Sequence, residues 1–319
     1  MYKQLHQGGS PIPFAAYDYY IEQTSTKLWD GNQGLLSKRR IQRKTWFFIS
    51  AANEDYFMGF AIVDAGLVSK AFVYIFDFKT KKMMEDGITV PLGFAADFDP
   101  ILQSTWILKN YSIKFKNDKI SADYLGKKFS LSLELEYNEK GMSFMCPSDE
   151  SRPFHFTYKN LLLNARAVIT LNGKKSEVRN LKSGIDFSKG YPPRKTFWNW
   201  VSFVGKTVDG MEVGINLVDK FNGNLENVIW LGEEKIQVGK VLFDYQPPIE
   251  STEWEISAVD ATLYLKMKPL GKRNENINAL IMKSKFTQVF VLTEGYIIHK
   301  GEKIHLSGYA VMEEHEALW

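Results

Sequence analysis

Side chains alternate strictly between apolar and polar types from Lys128 to Tyr137, and this alternation constrains the fold more than any other stretch. The apolar set and the polar set would lie on opposite faces of one strand: Phe129, Leu131, Leu133, Leu135 and Tyr137 against Lys128, Ser130, Ser132, Glu134 and Glu136. This pattern is typical of an antiparallel strand with one face in the core and one in water. No segment of the chain shows the apolar stripe of an amphipathic helix of three turns.

Further strands are predicted at short intervals, separated by Gly, Asn, Asp and Pro turns. The predicted strands are Lys44–Ala51, Tyr56–Val63, Ala71–Phe78, Trp106–Lys116, Ile120–Tyr124, Lys128–Tyr137, Leu161–Leu171, Thr196–Val204, Met211–Val218, Val228–Leu231, Lys235–Asp244, Glu253–Ser257, Ala261–Lys268, Phe286–His299 and Lys303–Met312. Residues 1–34 are predicted to form an extended aromatic-rich arm, and residues 82–104 a loop with at most a short helix near Pro100–Ser104. We therefore predict an all-β antiparallel barrel or sandwich.

Two β domains in tandem are predicted from an internal similarity. Thr45–Asp64 resembles Phe197–Asp219, because each contains an aromatic strand, a polar turn and a glycine inside an alternating strand that ends in aspartate. The segment Cys146–Arg152 has the composition of a linker. We therefore predict an N-terminal domain with its arm over residues 1–150 and a C-terminal domain over residues 151–319.

Charge and composition disfavour several classes of protein. The 40 Lys and Arg residues against 37 Asp and Glu give a net charge of +3, which is too small to predict binding to nucleic acid. The basic run Lys38–Arg40 is predicted to lie at a solvated strand edge. The N-terminus lacks the apolar core of a signal peptide, and no apolar run is long enough to span a bilayer. We predict a cytoplasmic location and no integral membrane segment.

The sequence predicts neither a metal nor a cofactor. Its one cysteine, Cys146, precludes an internal disulfide and is predicted to be a packed thiol. The five histidines show no HxH or HExxH spacing, and there is no dinucleotide fingerprint, phosphate-binding loop or nucleophile elbow.

The segment Asp186–Leu231 concentrates large aromatic and isolated polar side chains. Its ordered motifs are D-x3-G, W-x-W, DG-x3-G-x-N-L and EN, and the chain ends in EEHEALW. With these motifs the chain resembles an uncharacterised bacterial family of double-lipocalin-like proteins, a domain of unknown function, and more distantly the carotenoid hydratase and AttH-like group and fungal pericyclases. The resemblance implies two tandem lipocalin-like, calycin-type β domains and an apolar ligand cavity, and it implies no agreed reaction.

Two tryptophans are the leading candidates for ligand contact. Trp198 and Trp200 lie two residues apart and so share one face of a strand, where they would wall an apolar cavity, pack in the core or form an outer aromatic stripe. Asn199 points to the opposite face in either case. Asn216 lies in an apolar strand, where a buried amide needs a partner, so a ligand contact and a structural hydrogen bond are both open. His315 belongs to the family-like ending. It is a further candidate for ligand binding, and a purely structural role is the alternative.

Asp186 and Glu226 are the candidate catalytic residues if the protein is an enzyme. A carboxyl group in an apolar pocket has a raised pKa and can act as a general acid. Asp186 could instead cap a turn, and Glu226 with Asn227 could either orient a ligand or fasten a loop to the barrel rim.

These residues support three hypotheses for function. The first is binding of a hydrophobic or amphipathic small molecule, lipid- or isoprenoid-like, in an aromatic-lined barrel cavity. The second is an enzyme that uses acid-base chemistry for hydration, isomerisation or cyclisation of such a molecule. The third is a β-sandwich that binds glycans or cleaves glycosides, which would need two carboxylates facing one cleft.

Overall fold

The computed structural model describes residues 1–30, 37–91, 101–279 and 282–319. Strands make up 66% and helices 5% of it, and the strands form two curled antiparallel half-barrel sheets, which confirms the predicted all-β, lipocalin-like class. The chain divides into two compact units. The first contains Met1–Ile75 and Met83–Pro192, and the second contains Phe76–Lys82 and Pro193–Trp319.

The first unit is built on a twelve-stranded sheet, preceded by a two-stranded hairpin. Its elements are β1 (His6–Gln7), β2 (Ser10–Pro11), β3 (Ala15–Tyr17), α1 (Lys27–Asp30), α2 (Lys38–Gln42), β4 (Lys44–Ala52), β5 (Tyr56–Asp64), β6 (Val68–Asp77), β7 (Lys82–Pro91), a 3-10 turn at Ile101–Gln103, β8 (Thr105–Leu108), β9 (Tyr111–Lys116), β10 (Lys119–Leu125), β11 (Phe129–Glu136), β12 (Met142–Cys146), β13 (His155–Leu171) and β14 (Lys174–Gly190). The strand order is β7-β6-β5-β4-β14-β13-β11-β10-β9-β8, and β12 pairs with β13 and β3.

The second unit is built on a nine-stranded sheet. Its elements are β15 (Lys195–Thr207), β16 (Glu212–Asp219), a 3-10 turn at Asn222–Asn224, β17 (Val228–Leu231), β18 (Glu234–Gln237), β19 (Val241–Asp244), β20 (Trp254–Ala258), β21 (Leu263–Ala279), β22 (Met282–His299) and β23 (Glu302–Leu318). The strand order is β18-β17-β16-β15-β23-β22-β21-β20-β19. Within this unit the ring of Phe76 stacks on Phe290 with 4.3 Å between ring centroids.

The two sheets share one topology. In each, four consecutive strands form a meander, and the first of them pairs with the last strand of the unit. The segments that resemble each other in sequence, β4–β5 and β15–β16, occupy the same place in the two strand orders. The aspartates that end β5 and β16 both pair with the preceding strand, Asp64 with Thr45 on β4 and Asp219 with Asn199 on β15.

The division between the units differs from the predicted boundary at residue 150. Strands β13 and β14 follow that boundary in sequence, yet β13 pairs with β11 and β14 pairs with β4, so both strands complete the first sheet.

Among the described residues, six strands and two helices were not predicted: β1, β2, β3, β7, β12 and β14, with α1 and α2. β7 occupies part of the segment predicted as a loop, β12 and β14 carry weak strand signals, and the basic run Lys38–Arg40 begins α2 instead of lying at a strand edge. The Ser37 side chain caps this helix by accepting a hydrogen bond from the Arg40 backbone. The predicted short helix near Pro100–Ser104 is a 3-10 turn over its described part; Pro100 itself, and residues 31–34 of the predicted arm, lie outside the described residues.

Candidate functional site

The inner face of the second sheet changes from apolar to polar along four neighbouring strands. Residues paired across antiparallel strands lie on the same face, and every second residue along a strand returns to it. Val201, Val289 and Met312 belong to the buried core cluster of this unit and define the inner face. Moving towards one end of the strands, the next row of paired residues on this face is Asn199, Glu314, Thr287 and Asn274. The two rows beyond are Phe197, Glu316, Lys285 and Asn276, then Lys195, Leu318, Lys283 and Asn278.

A hydrogen-bonded chain of three side chains lies in the first polar row. Tyr245, just after β19, stacks on Trp254 with ring centroids 3.8 Å apart. Its hydroxyl donates to Oε2 of Glu314 at 2.5 Å and accepts from Nδ2 of Asn199 at 2.9 Å. Burial, and secondly the hydrogen bond to Glu314, raise the pKa of the Tyr245 hydroxyl well above its usual range. The hydroxyl therefore stays protonated and acts as a fixed donor to Glu314.

Asn199 retains one unsatisfied acceptor in this chain. Its side chain is fully buried, and Nδ2 is occupied by Tyr245 and by the backbone oxygen of Glu313 at 3.5 Å. Over the described ranges of the chain, Asn199 Oδ1 accepts no hydrogen bond. Tyr245 also determines the orientation of the Asn199 amide. Its hydroxyl donates its proton to Glu314, so the hydroxyl oxygen can only accept a further hydrogen bond. Nδ2 of Asn199 can donate that hydrogen bond and Oδ1 cannot.

An open depression of about 400 Å³ lies at this end of the strands, lined by residues of the last two rows except Phe197 and by Ile277, Ser284 and Ala317 of the alternate positions. Its lining includes three lysines and one glutamate, namely Lys195, Lys283, Lys285 and Glu316, together with the amides of Asn276 and Asn278. Lys195 Nζ lies 3.9 Å from Oε1 of Glu316, and both side chains are more than half exposed.

The two predicted tryptophans lie on the face opposite Asn199. Trp198 pairs with His315 and Trp200 with Glu313, whereas Val201 and Phe203 of the same strand belong to the core cluster. Their positions differ from the predicted cavity wall because a two-residue spacing fixes a common face without fixing which face is inner.

Asn216, Glu226 and Asn227 are held by protein groups. Asn216 accepts from Trp200 Nε1 and donates to the Glu226 backbone oxygen, both at 2.9 Å. The Glu226 carboxylate accepts from Asn222 Nδ2. Asn227 accepts from the Val218 backbone at 2.7 Å and donates to the Gly239 backbone oxygen at 2.9 Å, which ties the loop to β16. These contacts match the structural alternatives of the sequence analysis.

His315 lies on the outer face among aromatic rings. Its ring centroid is 4.3 Å from that of Trp198 and 5.2 Å from that of Phe286, and Nε2 lies 2.8 Å from the Ser284 hydroxyl. The histidine is buried.

Asp186 belongs to the first unit, whereas Glu226, the tryptophans and His315 belong to the second. It lies on β14 opposite Lys159, and its Oδ1 is 2.5 Å from Lys159 Nζ. Asp186 therefore lies in a different unit from the other predicted site residues.

Tyr245, Asn199 and Glu314 were not predicted as site residues. Two of them are adjacent to candidates, Asn199 between the tryptophans and Glu314 beside His315, and the odd polar position inside W-x-W is the signal that could have identified Asn199. Tyr245 carries no local signal, because a contact across the sheet brings it to Asn199.

Within the described ranges, no three His, Cys, Asp or Glu side chains are arranged to hold a metal ion, and Cys146 is a buried free thiol. None of the helices in the described part of the chain has the length and apolar character needed to cross a membrane.

The fold and this site define a lipocalin-like protein of two β units. Residues 23–319 match the family described as a domain of unknown function, DUF2804, and the chain belongs to that family. This confirms the family resemblance found in the sequence. The comparison with curated proteins gives no significant match.

Solved structures with a similar fold come from proteins of low sequence identity. A protein assigned to AttH from Nitrosomonas europaea has a TM-score of 0.56 at 13% identity, over 85% of this chain and 92% of that one. Kievitone hydratase from Nectria haematococca has a TM-score of 0.59 at 12% identity, over 95% and 97% of the two chains. CghA has a TM-score of 0.57 at 11% identity, over 96% and 94%.

Proposed function

We propose that the inner face of the second unit binds a small amphipathic molecule, lipid- or isoprenoid-like, that donates a hydrogen bond to Asn199. The observation that carries the proposal is the buried, unsatisfied Oδ1 of Asn199 on this face. An unsatisfied buried acceptor costs about 1–3 kcal/mol, and a ligand hydroxyl would recover that free energy on binding.

The surroundings of Asn199 suit a ligand with an apolar body. The apolar row of Val201, Val289 and Met312 lies on one side of the Asn199 row along the strands, and the open depression lies on the other. Small-molecule sites typically combine apolar walls with a few placed polar groups. The similar fold of kievitone hydratase, an enzyme by its name, is consistent with a small-molecule site in this architecture.

Calorimetry with farnesol and farnesyl methyl ether tests the proposal, because the two differ in the hydroxyl donor. Wild-type protein should bind farnesol more tightly. The Asn199→Leu variant should lose about tenfold in farnesol affinity, the equivalent of one hydrogen bond, and bind the ether as wild type does. Asn164→Leu, the same change at an exposed position of the first unit, is the control and should change neither affinity. Absence of farnesol binding, or equal loss of both ligands in Asn199→Leu, would contradict the proposal.

A second candidate function is acid-base catalysis on the same ligand. It is favoured by the position of the Glu314 carboxyl beside Tyr245 and Asn199. In a hydration, the carboxyl group of Glu314 would give a proton to one alkene carbon, and water would add to the other carbon and return a proton to the carboxyl group. Glu314 is the stronger candidate for the acid because it pairs with Asn199, whereas the carboxylates of Asp186 and Glu226 bind Lys159 and Asn222.

Incubation with farnesol in isotopically labelled water tests this activity by mass spectrometry. Label should enter the product with wild-type protein and with Asp186→Asn, and not with Glu314→Gln. Equal turnover by Glu314→Gln would exclude Glu314 as the acid.

A further inference from the structure

We propose that the ligand carries, besides its hydrogen-bond donor, an anionic group that binds to Lys195, Lys283 and Lys285. This inference rests on the proposed function and names the chemical class of the ligand. The shared chemistry is an anionic head group, carboxylate or phosphate, on an apolar body.

The charge of the depression carries this inference. Three lysines and one glutamate among its lining residues give a formal charge of +3 − 1 = +2. Neighbouring acidic side chains do not neutralise this positive charge, since in the described part of the chain neither Lys283 nor Lys285 takes part in an ion pair. The amides of Asn276 and Asn278 add donors to the same wall. A concave surface with excess positive charge favours an anion over a neutral group.

The order of residues along the strands sets the length of the ligand. Lys285 lies two residues beyond the Asn199 row on the inner face, and Lys283 lies four residues beyond it. Since two residues of a strand span about 7 Å, the donor and the anionic group of the ligand should be roughly 7–14 Å apart. Phe197 lies in the same row as Lys285, between the Asn199 row and the Lys283 row, and would contact the apolar part.

The preference for an anionic ligand over a neutral one should be moderate, because the lysines are exposed to solvent. Exposed ion pairs are individually weak, but three cations around one anion should give about a tenfold preference for an anionic ligand over its neutral analogue at low salt. The preference should shrink at about 1 M salt, where charges are screened within a few ångströms.

Calorimetry with ω-hydroxydecanoate, decanediol and ω-hydroxydecyl phosphate tests the inference. Wild-type protein should bind the carboxylate about tenfold more tightly than the diol. The Lys283→Gln/Lys285→Gln variant should lose this preference and bind the carboxylate and the diol with similar affinity. Lys174→Gln/Lys175→Gln, with two exposed lysines of β14, is the control and should keep the preference.

The outcomes separate this inference from the proposed function. Equal binding of carboxylate, phosphate and diol by wild-type protein would overturn the anionic group and leave the small-molecule site intact. Failure of all three ligands to bind would overturn both proposals. Tighter binding of the phosphate than of the carboxylate would support the inference and assign the head group as a phosphate; the reverse would assign it as a carboxylate.

Discussion

The hydroxyl of Tyr245 lies 2.5 Å from Oε2 of Glu314, and this hydrogen bond joins the segment after β19 to the last strand of the sheet. Strands β19 and β23 are not neighbours in the sheet, because β20, β21 and β22 lie between them in the strand order. The hydrogen bond therefore crosses the inner face and does not join adjacent strands. It fixes the Asn199 amide, because the same hydroxyl oxygen accepts from Nδ2.

The Tyr245→Phe variant should lose both hydrogen bonds while keeping the ring stacked on Trp254. We expect the free energy of unfolding to fall by about 1–2 kcal/mol, since Glu314 and Asn199 each lose a partner. Urea denaturation followed by tryptophan fluorescence would measure it. The pKa of Tyr245 is raised, so its stabilising effect is present below about pH 10 and is lost as the pH rises further. The difference between wild type and variant should therefore narrow above pH 10, and a constant difference would contradict this account.

Replacing Asn227 by alanine should destabilise the second unit. The change leaves the Val218 N–H and the Gly239 carbonyl without the amide that joins them, and we expect a loss of about 2–4 kcal/mol in the free energy of unfolding. Gln237→Ala, which removes one exposed hydrogen bond to the Leu225 backbone, is the matched control and should cost well under 1 kcal/mol. Farnesol affinity of the folded variant should stay at the wild-type value; a selective loss of affinity without loss of stability would instead make Asn227 a ligand contact.

Local patterns predicted most strands but not those whose formation depends on distant contacts. Asp86-Gly87 reads as a turn in the sequence, yet it is extended in β7, where the Asp86 carboxylate accepts hydrogen bonds from the hydroxyls of Tyr111 and Tyr124. Those tyrosines lie more than twenty residues away in sequence, so no local pattern reports them.

The predicted tryptophans lie on the same strand as Asn199, β15, but on its opposite face. The spacing of Trp198 and Trp200 predicts a shared face, whereas the choice of inner face depends on packing of Val201 and Phe203 with strands far along the chain. Tyr245 is joined to Glu314 across sixty-nine residues, a contact that sequence periodicity cannot indicate.

Removing the charge of Asp186 should destabilise the first unit through Lys159. The Lys159 side chain is 5% exposed and its ammonium lies 2.5 Å from Asp186 Oδ1. Because breaking a buried ion pair leaves a charge without its partner, Asp186→Asn should lower the free energy of unfolding by about 2–4 kcal/mol. Lys159→Met combined with Asp186→Asn should recover part of this loss in a double-mutant cycle with the two single variants. Glu134→Gln, which breaks the exposed pairs with Lys119 and Arg166, is the control and should cost less than about 1 kcal/mol; additive losses in the cycle would argue against the coupling.

Acid should destabilise the first unit through His155. Burial, and secondly the positive charge of Lys159, lower the pKa of His155 from its usual 6.5 to about 3. Between these two values the unfolded chain binds a proton that the folded chain does not bind, so the free energy of unfolding should fall by up to about 1.4 kcal/mol per pH unit as the pH drops from 6.5 towards 3. Urea denaturation across this range should show a shallower decline for His155→Gln than for wild type, because the variant lacks this ionisation. NMR of the imidazole gives an independent reading: the His155 signals of the folded protein should stay at their neutral positions down to about pH 4. A titration midpoint near 6.5, or parallel stability curves for the two proteins, would show that the imidazole is not held neutral by burial.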